Sequence, residues 1–153
     1  MTAAVRRDAP PPPGPVTPFR FPSFVRHRLS NGLTVVAARS PRAPLVDLGL
    51  VFAAGAAEEP AERAGLASMT ADLLDEGTAA RDAPAIAAAV ADLGGRLSSG
   101  ADWDVGTLEV ELLARHTDEG LALLAELATG SVFPAEEVER QRLRRGAELL
   151  RRK

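Results

Sequence analysis

The chain has 153 residues, 46% of them apolar and 25% charged, and a net charge of −3. That length suffices for one domain with a real core, and the overall charge excludes a polyanion binder. The absence of Cys excludes disulfides and thiolate metal sites, and no apolar run approaches the ~20 residues of a membrane-spanning helix.

Aromatic residues make up only 4%, with no Tyr and one Trp, so the core has to rest on Ala, Leu and Val. Residues 1–23 read as a disordered Pro-rich leader. The run Ala9–Pro15 cannot pair in a sheet or continue a helix, and it favours polyproline II. A recruiting site for an aromatic groove is the other reading of that run. Arg6-Arg7 lacks a following apolar segment, which argues against a secretory signal and sets cytoplasmic residence as the expectation.

Order is expected from Phe24. Val25–Leu29 and Leu33–Arg39 are strand-like runs around Ser30-Asn31-Gly32, and Asn-Gly predicts a hairpin closed by a type I′ turn. Pro44–Ala54 predicts a third strand, followed by a polar loop over Ala56–Ala64. A helix is expected over Gly65–Glu76, with Leu66, Met69, Leu73 and Leu74 as its apolar stripe. Asp82 can cap the next helix, with Pro84 in its first turn and Gly94-Gly95 at its end. Strands are predicted at Arg96–Ala101 and Thr107–Leu113. A third helix follows, with Asp118 and Glu119 in its first turn, where the helix dipole favours negative charge, and ends near Gly130. The last helix starts at Pro134 and is still helical at Lys153. This element order predicts an α+β fold, a mainly antiparallel sheet with helices packed on one face.

Several short motifs, in order, resemble the insulinase / pitrilysin / mitochondrial processing peptidase family of zinc peptidases. They are Arg28–Val36, Pro44–Gly55, Glu59-Pro60, Gly94-Gly95 with the strand after it, and Phe133-Pro134 with Glu139-Arg140. The resemblance implies a processing-peptidase-like N-terminal domain over 24–153, incomplete at its C-terminal end. Active members carry His-x-x-Glu-His on the helix matching Gly65–Glu76, two His binding zinc and the Glu activating water. Here those positions read Ser68, Ala71 and Asp72. Counted from Asp72 at the family's spacing, the third metal ligand falls on Glu148. The cleft strand of the family is followed by a Glu-containing pattern; the matching stretch Ser98–Gly106 departs from it, with Asp104 a candidate stand-in for that Glu.

These departures imply no catalytic residue, no resident metal and no cofactor, zinc belonging to the active relatives. Ser68 is a poor zinc ligand because its hydroxyl stays protonated, and the Ala71 methyl cannot take a proton from water. Asp72 and Glu148 could hold a hard cation weakly, or could be two solvated acids beside a vestigial cleft. Asp75 and Glu76 are expected at a solvated helix end. Trp103 could face a bound peptide or anchor a loop. His27 and His116 have no ligand partner at helical spacing. In the family an extended substrate adds to the edge of the cleft strand. Ser98, Ser99 and Gly100 are small and would leave that edge open.

The seven basic residues of 139–153 suit an ion-paired or subunit-facing helix better than nucleic-acid binding. The functional expectation is a non-catalytic subunit that binds extended peptide and pairs with a zinc-bearing homologous peptidase, with no nucleic-acid or membrane partner. The alternatives are a metallopeptidase with a rearranged site using Asp72, Glu148 and His116, and a free-standing peptide-binding module.

Overall fold

The chain divides into two compact units, Met1–Arg42 and Ala43–Lys153. The computed structural model describes residues 14, 15, 18, 20–40 and 43–151. Most of the expected leader, and the helix end at Lys153, lie outside them.

In the first unit, β1 (Phe24–Arg28) and β2 (Thr34–Ala38) pair antiparallel, with Arg28 opposite Thr34. The hairpin is where the sequence places it, but its turn is not type I′. The Leu29 N–H donates to Leu33 O (2.8 Å) and the Gly32 N–H to Leu29 O (3.0 Å). That register leaves three loop residues, which a two-residue turn cannot close. Gly32 alone takes the left-handed conformation (φ 92°), while Asn31 stays outside it and accepts the Leu33 N–H through its side chain (3.1 Å).

In the second unit, β3 (Leu45–Phe52), β4 (Arg96–Ala101) and β5 (Gly106–Leu113) form one antiparallel sheet in the order β3-β5-β4. Strict alternation explains the central place of β5. Leu108, Val110 and Leu112 are fully buried on one face, and Glu109 and Glu111 are exposed on the other. Helices α1 (Leu66–Leu73), α2 (Ala83–Asp92) and α3 (Thr117–Gly130) are set against the sheet. Ile86, Val90, Leu123, Leu124 and Leu127 complete the core with the β5 leucines and valine. Fully burying each of these side chains is worth roughly 1.5–3 kcal/mol. The core is aliphatic, as composition requires; Phe21, Phe24, Phe52, Phe133 and Trp103 all stay exposed. The fold is α+β, with an antiparallel sheet and helices on one face.

Local chemistry sets the helix ends. Asp82 Oδ1 accepts the Ala85 N–H (2.9 Å) at the start of α2, and Gly94 (φ 63°) ends that helix. The start of α1 is held by Glu59, whose carboxylate accepts the N–H groups of Gly65 (2.7 Å) and Ala67 (2.6 Å). At its other end α1 stops at Leu73, short of the expected Glu76. Ser131 Oγ donates to Leu74 O (2.6 Å) and draws the chain out of the helical path. The last helix, α4 (Ala135–Arg151), is set against α1. No helix among the described residues is long and apolar enough to cross a membrane.

Where α3 crosses the sheet, Gly120 lets the backbones approach. A Cβ there would overlap Leu112 Cδ2 and come within 3.1 Å of Leu48 Cδ1. Overpacking costs about 1–3 kcal/mol, against a helix-propensity gain of about 1 kcal/mol. Gly120→Ala is therefore expected to lower the urea midpoint, and a raised midpoint would contradict this crossing. Glu59→Ala should destabilise by about 1–2 kcal/mol in the same experiment, because it strips both acceptors from the start of α1.

Candidate functional site

One face of α1 meets α4 through a ladder of ionic contacts. Ser68 and Asp72, one turn apart, lie along one side of α1, and Glu76 follows just beyond its end. Arg145 of α4 reaches two of them. Its Nη1 donates to Ser68 Oγ (2.8 Å) and its Nη2 to Asp72 Oδ2 (2.8 Å). Arg144 Nη2 adds a contact to the same Asp72 oxygen (3.3 Å). One turn along, Glu76 Oε1 accepts from Arg140 Nη2 (2.6 Å) and Gln141 Nε2 (3.2 Å). The helices run antiparallel, so rising numbers on α1 meet falling numbers on α4.

These are not free surface pairs. The Asp72 and Arg145 side chains are 30% and 28% exposed, and that of Glu76 is 16% exposed. Partial burial strengthens a charge-assisted hydrogen bond and raises the cost of breaking it. The Arg145 fork spends both terminal nitrogens on α1, leaving its buried Nε without an acceptor; Gln141 Oε1, one turn away, is likewise buried without a donor.

The residues do not fit zinc. Catalytic zinc needs three good protein ligands. The Ser68 hydroxyl is engaged by Arg145 and donates to Gly65 O (3.2 Å), while Asp72 faces two guanidinium groups. Glu148 lies exposed on α4, less than a turn beyond Arg145, and makes no hydrogen bond or ion pair with Asp72. Among the described residues, no three His, Cys, Asp or Glu side chains form a group that could hold a metal ion. His116 is occupied locally: its Nδ1 lies 3.2 Å from Glu119 Oε1, and Arg115 Nε donates to its Nε2 (3.0 Å). His27 sits on β1, in the first unit, opposite Val35.

Ala71 is buried and its methyl faces an apolar cavity of about 410 Å³. Leu66, Leu74, Phe52, Phe133 and Gly100 also line that cavity. Gly100 belongs to β4, which pairs with β5 on one side and with no strand on the other among the described residues. Ser98 is exposed, and Ser99, opposite the buried Leu108, is half-buried. The three small residues thus lie on an open edge, one of them at the mouth of the space beneath α1. Trp103 is 69% exposed at the β4–β5 turn and anchors no core. Asp102 Oδ1 builds that turn by accepting the N–H groups of Asp104 and Val105 (2.8 Å each). Asp104 lies in the same turn.

Asp75 and Glu76 do not form a solvated helix end, because the early stop of α1 turns both carboxyls inward. Burial pushes the Asp75 carboxyl above the usual carboxylate range, with the charges of Glu76 and Asp72 adding to it and a backbone N–H opposing. Sequence reasoning missed Arg145, Arg144 and the capping role of Glu59. The basic run of α4 was visible in the sequence, but nothing local marked these two among its arginines.

A raised folded-state pKa means that the unfolded chain releases its Asp75 proton first. Ionisation of Asp75 therefore lowers stability as pH rises through and above the ordinary carboxylate range. Asp75→Asn should raise the melting temperature at neutral pH, with the gain vanishing in acid below that range. A gain independent of pH would contradict the assignment.

Residues 34–150 match the family described as Insulinase (Peptidase family M16). Over 119 residues the chain is 26% identical to an uncharacterized zinc protease of Rickettsia felis and 25% identical to one of Rickettsia bellii. These matches cover 78% of this chain and 29% of each relative. The peptidase M16 inactive domain from Pseudomonas fluorescens superposes with a TM-score of 0.74 at 28% identity, over 79% of this chain and 30% of that one. A protease from Helicobacter pylori shares the fold, with a TM-score of 0.70 at 21% identity over 76% of this chain and 28% of that one. The chain therefore spans less than a third of the length of these relatives. It contains no His-x-x-Glu-His segment, its two His standing apart at positions 27 and 116. With the match extending over well more than half its length, this chain belongs to the insulinase family, peptidase family M16.

Proposed function

We propose that this chain is a non-catalytic member of its family, one that holds extended peptide on the open edge of β4 and works beside a zinc-bearing relative. The observation that carries this reading is a pairing of features. The positions that resemble the zinc ligands are occupied by an arginine clamp, while the strand beside them keeps an unpaired edge. An edge strand binds peptide through its own N–H and C=O groups, which need no metal and few side chains. The cavity at Gly100 would take an apolar side chain of that peptide. Without a carboxylate at position 71, general-base help worth about 10²–10⁴ in rate is missing. The likeness to a structure named for its inactive domain supports a scaffold that persists without chemistry.

The test is co-purification with a family member that carries His-x-x-Glu-His, followed by peptidase assays of each protein alone and of both together. The expected outcome is a stable pair, no hydrolysis by this chain alone, and faster hydrolysis by the pair than by the partner alone. Peptides N-methylated at alternate amides should bind this chain at least about tenfold more weakly, because β-strand addition loses its hydrogen bonds. Peptide binding with no association would reduce the reading to a free-standing module. Hydrolysis by this chain alone would end it.

A further inference from the structure

We propose that the Arg145 guanidinium stands in for the metal ion, so that a permanent organic cation closes the joint that a dication closes in zinc-bearing relatives. The inference rests on Ser68 and Asp72 being counterparts of the two metal-binding imidazoles, and not on any peptide or partner. One guanidinium bridges both positions at 2.8 Å each. It is supplied by α4, less than a turn before Glu148, the counterpart of the third ligand. A metal at this place would tie α1 to α4, and the Arg145 fork ties the same two helices. The exchange is possible because the fork is planar and reaches two acceptors at once.

Two physical consequences follow. A guanidinium keeps its charge at every pH a protein survives and is not removed by a chelator, so a chelator cannot empty this joint. Arg145 and Arg144 also outnumber the single carboxylate of Asp72, so the joint carries net positive charge and repels an incoming dication. Restoring imidazoles is therefore not sufficient to restore a metal site; the arginine has to leave as well.

The experiment compares Ser68→His/Asp72→His with the same variant carrying Arg145→Ala, both in the full-length protein. In that background Arg145 has lost its carboxylate acceptor, so its removal costs little folding, which circular dichroism checks. Zinc affinity is read by competition with a chromogenic chelator. The variant without Arg145 should bind zinc at least about tenfold more tightly than the one that keeps it. Equal affinities would overturn the proposal. Absence of zinc binding without Arg145 would also overturn it, by removing the correspondence with the imidazole positions; the partner assay above would be unaffected.

A second arm uses the native residues. EDTA should leave the melting temperature unchanged, while Arg145→Ala should lower it by about 3–6 °C. Arg145→Lys should recover only part of that loss, because an ammonium is a single point of charge. A fall in melting temperature with EDTA, or none with Arg145→Ala, would overturn the proposal.

Discussion

The guanidinium of Arg145 reaches across from α4 to Ser68 and Asp72, and the attachment of α4 to α1 leans on that reach. A long polar helix gains little from burying apolar area, and α4 buries only Gln141. Its attachment to α1 is ionic instead, built from partly shielded contacts along one face. Shielding gives these contacts more than the small worth of an exposed pair. Replacing only one partner would leave the other charge partly buried and unmet. The contact ties α4 to α1, which is itself set against β4 and β5 and roofs the apolar cavity that opens at β4.

From that constraint the chemistry reads in order. Glu59 holds the start of α1 and Ser131 ends it, so the helix presents Ser68, Ala71 and Asp72 at set places. Ser68 and Asp72 turn to the arginine. Ala71 turns to the cavity, where a methyl group offers neither a proton acceptor nor a metal ligand. What remains usable by a ligand is backbone at the β4 edge and apolar surface beneath α1. Those are the features that the proposed peptide-holding role would use. In the proposed exchange, a fork of two hydrogen bonds would span the gap that a coordinated ion would span.

The sheet and its helices were legible because their causes are local. Alternation along β5 marks which face is buried, Asp82 and Gly94 punctuate α2, and β4 spans Arg96–Ala101 as the sequence indicates. The hairpin position was legible from Asn31-Gly32, but the turn was not. Its type depends on register, which leaves three loop residues and puts the left-handed conformation on Gly32 alone. The end of α1 was misplaced because Leu74 O is taken by Ser131, far along the chain. Glu76 misled for the same reason: its place at a helix end suggested solvent, while its partners Arg140 and Gln141 come from another helix. Positions 68, 71 and 72 on α1 were singled out by resemblance alone. Their occupant was not, since nothing local in the sequence distinguishes Arg145 from the other arginines of α4.

The account turns on what sits between Ser68 and Asp72. The most direct measurement is a crystal structure of the protein grown with excess zinc, with anomalous data collected at the zinc edge. The prediction is Arg145 density bridging Ser68 and Asp72, with no anomalous peak between α1 and α4. A strong peak bonded to Asp72 and Glu148, with Arg145 turned out to solvent, would contradict it.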